Sequence, residues 1–361
     1  MRLAWEMTKS TGKPYSSGLL RVAHSLGNAL RHHPGIDVSW VRWNPWRRDW
    51  IRIEPDSGRP LHPEPPLERD DWWITPEVFS GREKPGLARW MDKSPCRKAA
   101  IFHDLIPLKY PEITWPRSVR RHPSYLKLIA GMDRVFPVSE AVGDELTAYF
   151  KKESLTTPPL TPIRLGTLTR EMGRIDQNPV PPPLNILCVG ILEPRKNQSL
   201  LLESLERAWK RGLPMNATLC GRLNPTFGKP VLKRINALVK AGRPLYYRGN
   251  IQDSSLQDLY RMAHLTVIPS IAEGGGLPLL ESLGYGTPVL ASDLPSLKEY
   301  GRGGGCRFFP VNDSLKLLEN LESHLQNPAL LRQLREEIRQ RALPHWENTA
   351  YQIFHALTGM G

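Results

Sequence analysis

The chain has 361 residues, 40% of them hydrophobic and 24% charged, the balance of a folded globular protein with enough length for two domains of roughly 170 residues. Lys and Arg outnumber Asp and Glu by 49 to 36, but the excess is spread along the chain, with 28 basic and 21 acidic residues up to residue 180 and 21 and 15 beyond it. Without a basic tail, zinc-finger spacing or an RNA-binding aromatic signature, that charge argues against nucleic acid and for anionic ligands or an anionic membrane surface. No apolar run approaches the roughly 20 residues of a membrane span, and the N-terminus reads at once as a strand rather than a signal peptide, so a cytoplasmic protein is expected. Cys96, Cys188, Cys220 and Cys306 lack metal-type spacing and read as reduced and structural.

Residues 2–6 (RLAWE) read as an opening strand, and Leu19, Val22, Ala23, Leu26 and Leu30 fall on one face of a helix that starts at Gly18. The intervening loop carries neither G-x-G-x-x-G nor a P-loop, which weighs against a dinucleotide-dependent dehydrogenase. Next, Trp40, Trp43, Trp46 and Trp50 alternate with Arg42, Arg47, Arg48 and Arg52. Trp with Arg suits a membrane interface or an acceptor's sugar and phosphate groups, and suits equally a strand with its edge. Residues 54–69 are proline-rich and read as a loop; 71–79 read as a strand. Ala99 to Phe102 reads as a buried strand that delivers His103 and Asp104 to its carboxyl end, where open parallel sheets place ligands. A histidine there can donate to a sugar hydroxyl or carry a proton, although a lone histidine is often structural. Arg117, Arg120 and Arg121 precede the next helix, and a further strand is expected at Ile163 to Leu165.

Residues 171–184, with four prolines from Pro179 onwards and little apolar periodicity, read as a linker between a domain of residues 1–170 and one of 185–345. The second domain opens with the strand NILCVG, ending at Gly190, and the loop ILEPRKN sets Arg195 and Lys196 just before a helix. Strands at Ala217 to Cys220 and Leu245 to Tyr247 follow, each leading to a glycine, Gly221 and Gly249. The densest stretch is HLTVIPSIAEGGGLPLLESLGYGTPVLAS: a strand at Leu265 to Pro269, a loop with Gly274, Gly275 and Gly276, a helix opened by Leu277 and Pro278, and a strand at Pro288 to Ser292. Free N–H groups and the positive end of the helix dipole make this an anion site. Glu273 and Glu281 flank it, and carboxylates accept from the vicinal hydroxyls of a sugar or a ribose. Phosphate with hydroxyls on either side describes a nucleotide sugar. Residues 346–361 read as an amphipathic terminal helix.

The phrase EGGGLPLLESLGYGTPVLAS resembles the donor signature E-G-F-G-L-P-x-L-E-A-x-A-x-G-x-P-V of retaining glycosyltransferases of family 4, departing at Gly275, Ser282 and Leu283. HDLIPLKYPE (103–112) resembles the equivalent segment of bacterial, mannosyltransferase-like members; ILEPRKN resembles G-R-L-E-P-R-K-N with Ile191 in place of an arginine; and YRGNIQDSSLQDLY resembles the family's G-x-V-x-D-x-x-L-x-x-L-Y. The resemblance implies an α/β fold of two Rossmann-like domains facing across a cleft, the GT-B architecture, with the terminal helix crossing back to the first domain. It implies retaining transfer of a sugar, mannose from GDP-mannose first, from a nucleotide diphosphate donor to a glycan or lipid-linked acceptor in lipopolysaccharide or other surface polysaccharide synthesis. No metal or other cofactor is expected.

By the same resemblance the catalytic set is His103, Asp104, Glu273, Arg195 and Lys196. Donor contacts fall to Gly18, Gly190, Gly249, Asn250, Ile251, Gly274, Gly275, Gly276, Leu277 and Glu281 besides Arg195, Lys196 and Glu273. In these roles Arg195 and Lys196 hold the diphosphate, Glu281 the ribose, Glu273 the transferring sugar and the segment around Gly249 the base. Trp43, Arg47, Arg48, Arg117, Arg120 and Arg121 are assigned to acceptor or to the inner face of the plasma membrane. A nucleotide-sugar epimerase of the same architecture and an inactive donor-binding scaffold are the rival readings.

Overall fold

The computed structural model describes residues 1–11, 17–167 and 182–359. They form two compact units, Met1–Gly166 with Pro344–Gly361, and Thr167–Leu343. The expected linker falls largely outside the described residues.

The first unit holds β1 (Arg2–Glu6), β2 (Asp37–Asn44), β3 (Asp49–Ile53), β4 (Pro60–Pro63), β5 (Trp72–Thr75), β6 (Arg97–Phe102) and β7 (Arg134–Pro137), in the order β4-β3-β2-β1-β5-β6-β7. β2, β1, β5, β6 and β7 are parallel, and β3 and β4 extend the sheet antiparallel. Helices cover parallel strands, so the middle of the sheet is buried: Trp72 to Thr75 of β5 and Ala99 to Phe102 of β6 are all buried. The helix Gly18–Arg31 buries Val22, Ala23, Leu26 and Leu30 as its periodicity predicts, while Leu19 is exposed. It lies so close to β1 that a Cβ on Gly27 would sit 2.5 Å from the Trp5 indole nitrogen, which itself donates to the Ala23 carbonyl.

Three expectations change here. The Trp/Arg stretch is a β2–β3 hairpin, Trp43 pairing with Trp50, and both indoles join Trp73 and Trp90 in a buried aromatic cluster with ring centroids 4.9–6.5 Å apart. Trp43 is 4% exposed and its Nε1 donates to the Pro85 carbonyl, so it is core and offers no surface to a membrane or acceptor. The proline-rich loop contains the edge strand β4, a position where the missing N–H groups cost no ladder bond. Residues 163–165 are not a strand: the segment runs beside β7 through Thr161 N–H to Val135 O and Ile163 N–H to Pro137 O, but Pro159 and Pro162 cannot donate and the ladder stops at one bridge.

The second unit is an all-parallel sheet of β8 (Leu184–Val189), β9 (Met215–Cys220), β10 (Leu245–Arg248), β11 (Leu265–Ile268), β12 (Val289–Ser292) and β13 (Cys306–Phe309), in the order β10-β9-β8-β11-β12-β13. Leu201, Leu205, Leu219, Leu290, Phe309 and Leu321 fill the core between sheet and helices. The terminal helix Trp346–Thr358 belongs to the first unit, where Thr349 donates to the Arg164 carbonyl and Phe354 packs on His33 at 4.4 Å. All four cysteines are free and buried.

Candidate functional site

Each sheet grows first to one side and then to the other, so each has a switch point: between β1 and β5 in the first unit, and between β8 and β11 in the second. Crevices outside the carboxyl ends of strands at such points are where open α/β sheets bind ligands.

At the second switch point the chain leaves β8 through Gly190, whose missing Cβ would lie 3.2 Å from the Lys196 stem. A short 3-10 turn, Pro194–Lys196, follows, and the Arg195 carbonyl accepts from the Ile271 N–H of the loop after β11. That loop presents Glu273, whose Oε1 accepts from Lys196 Nζ at 2.5 Å and Ser270 Oγ at 2.6 Å, and whose Oε2 accepts from Arg195 Nη1 at 3.1 Å. Ser296 Oγ donates to the Glu273 carbonyl and Arg195 Nη1 to that of Ala272, so two successive carbonyls of the loop are held. Arg195 is also paired with Glu193, itself bonded to Asn224. Burial alone would raise the Glu273 carboxyl, but the neighbouring Lys196 and Arg195 charges and the Lys196 and Ser270 hydrogen bonds outweigh it and bring it down to about 2.

Gly276 caps the helix Leu277–Gly284 at φ +53°, with a Cβ there meeting Leu297 Cδ2 at 2.9 Å, so only glycine fits. Gly274 is buried and Gly275 partly so, Leu277 opens the helix, and Pro278 is its second residue. Glu281, one turn on, is buried and accepts from Tyr260 Oη at 2.9 Å; Tyr260 stacks on Tyr285 at 5.6 Å. Gly249, Asn250 and Ile251 form the loop after β10, and Ile251 packs against the Tyr260–Tyr285 cluster. Glu273, Arg195 and Lys196 therefore meet in one ion cluster, and Glu281 belongs to a separate aromatic one.

In the first unit His103 and Asp104 leave the carboxyl end of β6 as expected. His103 Nε2–H donates to the Pro76 carbonyl at 2.9 Å, and burial lowers the affinity of the ring for a second proton, so the neutral ring keeps Nδ1 as its acceptor. Asp104 Oδ1 accepts from the Ile106 N–H, and its carbonyl from His122 Nε2. Gly18 begins its helix after Ser17, whose Oγ caps Leu20 N–H. Arg117 and Arg121 are partly neutralised by Glu83, at 3.0 and 3.5 Å, while Arg120 is exposed. Arg47 and Arg48 are exposed at the hairpin tip beside Trp46, the outward indole at 93%.

Ser270, Ser296, Glu193 and Tyr260 join these clusters without standing out in the sequence. Ser270 was accessible, since the first polar residue after a buried strand lies at the carboxyl edge; Ser296 is 23 residues from its partner and carries no local signal.

Two mainly parallel sheets with helices on their faces, the second with an ion cluster at its switch point, are the arrangement of the GT-B class of fold. The structure of a sucrose-phosphate synthase from Thermosynechococcus elongatus aligns with TM-score 0.72 over 100% of this chain and 99% of that one, at 20% identity. Residues 174–341, just under half of the chain, match the family described as Glycosyl transferases group 1, and mannosyltransferases are among the proteins the chain is similar to. A serotype-specific mannosyltransferase WbdA of Escherichia coli is 26% identical over 312 residues, 78% of this chain and 38% of that protein. The O-antigen chain mannosyltransferase B of Escherichia coli is 31% identical over 182 residues, 47% of this chain and 44% of that protein. The chain thus spans about two fifths of the curated relatives it matches.

Proposed function

We propose that the protein is a retaining, metal-independent glycosyltransferase that moves mannose from GDP-mannose to a glycan or lipid-linked acceptor in bacterial surface polysaccharide synthesis. The observation that carries this reading is the Arg195–Lys196–Glu273 cluster at the carboxyl edge of the second sheet, beside the Gly276 helix end. Transfer breaks the bond between the anomeric carbon and the diphosphate oxygen and forms one to an acceptor oxygen, whose proton passes to the departing diphosphate. Negative charge grows on the leaving diphosphate, and groups that stabilise it more in the transition state than before it lower the barrier. Arg195, Lys196 and the helix N–H groups supply that stabilisation from the protein itself. Glu281 receives the ribose, with Tyr260 setting its carboxylate; Glu273 holds the transferring sugar; His103 meets a sugar hydroxyl through its acceptor nitrogen. Mannose as the sugar rests on the mannosyltransferases among the relatives.

Thermal shift across GDP-mannose, UDP-glucose, UDP-N-acetylglucosamine and ADP-glucose tests the donor. A ligand at 100 times its dissociation constant adds about 2.7 kcal/mol of stability. GDP-mannose is expected to give the largest shift, transfer to persist in excess EDTA, and NMR of the product to show the donor's anomeric configuration. Stabilisation by a uridine donor alone overturns the donor, loss of transfer in EDTA restored by Mg²⁺ overturns the metal independence, and an inverted anomer overturns the retention.

A further inference from the structure

The first sheet carries at its own switch point a charged group that nothing above uses. Lys84 is 1% exposed; its ammonium lies 2.5 Å from Glu6 Oε2, at the end of β1, and 3.5 Å from Glu77 Oε2, just past β5, and sits 3.8 Å over the Phe79 ring. Glu6 also accepts from Thr8 N–H and Thr75 Oγ1. Glu77 Oε1 accepts from two successive amides of the loop leaving β1, Lys9 N–H at 2.6 Å and Ser10 N–H at 2.8 Å. The same loop is tied by Ser10 O to His24 Nε2, and its Lys9 ammonium reaches Val78 O and Glu83. The residue before Glu77 is Pro76, whose carbonyl receives the His103 Nε2–H.

Two buried carboxylates share one buried ammonium here, an arrangement that packing alone does not favour, because apolar residues of similar volume serve stability as well or better. We propose that Glu77, held by Lys84, is a positioning residue that fixes both the loop after β1 and, through Pro76, the orientation and tautomer of His103. The proposal rests on the reading of His103 as a group that meets substrate. In keeping with it, burial and the Glu6 charge push the Glu77 carboxyl up to about 7 against the pull of Lys84, so this group gives up stability to be where it is. A glutamine would turn an amide N–H₂ toward the Lys84 ammonium or give up one of its loop bonds, and either way the charge-assisted pair to Lys9 and Ser10 weakens.

The test is Glu77→Gln in the full chain, read three ways. The melting temperature is expected to hold or rise, because an excess buried charge is gone. Transfer kcat is expected to fall about tenfold to a hundredfold, the size of effect a misplaced group near the reacting atoms produces. The 15N signature of His103 is expected to lose its single Nε2–H tautomer, and the Lys9 and Ser10 amides to exchange faster. Unchanged kcat, His103 tautomer and amide exchange with a raised melting temperature overturn the proposal. Wild-type protein gives a second measurement: as Glu77 takes up its proton among Lys84, Glu6, Lys9, Glu83 and Arg121, the Lys9 and Ser10 amide signals should titrate together between pH 8 and 5.5. Titration of one of the two amides without the other overturns the proposal as well, because Glu77 Oε1 accepts from both. Neither NMR readout needs a donor, so a wild type that binds no nucleotide sugar overturns the proposed function while these signals still decide the role of Glu77.

Discussion

Glu273→Gln removes the one carboxylate that bridges Lys196 and Arg195, and its consequences run in opposite directions for the free and the ligand-bound protein. The wild-type carboxyl is depressed from 4.5 to about 2. At 1.36 kcal/mol per unit this contributes roughly 3 kcal/mol at neutral pH, present above the unfolded value near 4.5 and lost as the pH falls through 2. The variant should therefore melt up to roughly 6–12 °C lower at pH 7, at 2–4 °C per kcal/mol for a unit of this size, and lack this acid-induced loss. In the free protein the carboxylate occupies both cations, so a nucleoside diphosphate must compete with it. The variant should bind GDP at least as tightly as wild type by calorimetry and gain more melting temperature from saturating GDP, while sugar transfer drops because the sugar hydroxyls lose a charged hydrogen-bond acceptor. A tenfold or greater loss of GDP affinity would refute the argument, since it would mean that Glu273 assists the diphosphate rather than standing in its place.

Lys196→Ala should slow transfer about thirty- to several-thousandfold, the 2–5 kcal/mol of a lost desolvated charge contact, and should also lower the melting temperature because Glu273 is left buried with one cation fewer; wild-type turnover by the variant would show that Lys196 does not bear leaving-group charge. Glu281→Ala should weaken donor binding in calorimetry, and Tyr260→Phe should do so to a smaller degree by removing one hydrogen bond that orients the Glu281 carboxylate; unchanged affinity in both removes the ribose assignment. Arg47→Glu/Arg48→Glu should reduce sedimentation with anionic liposomes, most visibly below physiological salt, where screening beyond about 8 Å is relieved; equal partitioning removes the hairpin tip as a membrane contact.

The carboxyl-edge residues were legible because parallel strands announce themselves as apolar runs and the loops after them as glycine and charge. Arg195, Lys196, Glu273 and His103 could each be set at a strand end from the linear sequence. Their pairing could not: Lys196 and Glu273 are 77 residues apart, and only the adjacency of β8 and β11 brings them together. Lysine alone in a loop reads as exposed, which suggests little role in stability, whereas Lys196 is 9% exposed and paired. The aromatic stretch misled for the same reason. Trp43 and Trp46 look alike in sequence, and it is Trp73 and Trp90, contributed from elsewhere, that draw one indole inward and leave the other out. Glu6, Glu77 and Lys84 carried no signal at all, since each alone resembles an ordinary solvated charge.

The four cysteines give the molecule a built-in reporter of its own opening. Burial pushes Cys188 and Cys306 up to about 12 and Cys220 to about 11, and raises Cys96 as well, so at neutral pH scarcely any thiolate is present and none is within reach of a reagent. Maleimide labelling of the native protein is thus limited by unfolding, and mass spectrometry separates the sites. Cys96 alone times the first unit, and Cys188, Cys220 and Cys306 time the second, so a single labelling experiment shows which half yields first and whether a nucleotide sugar slows one clock or both.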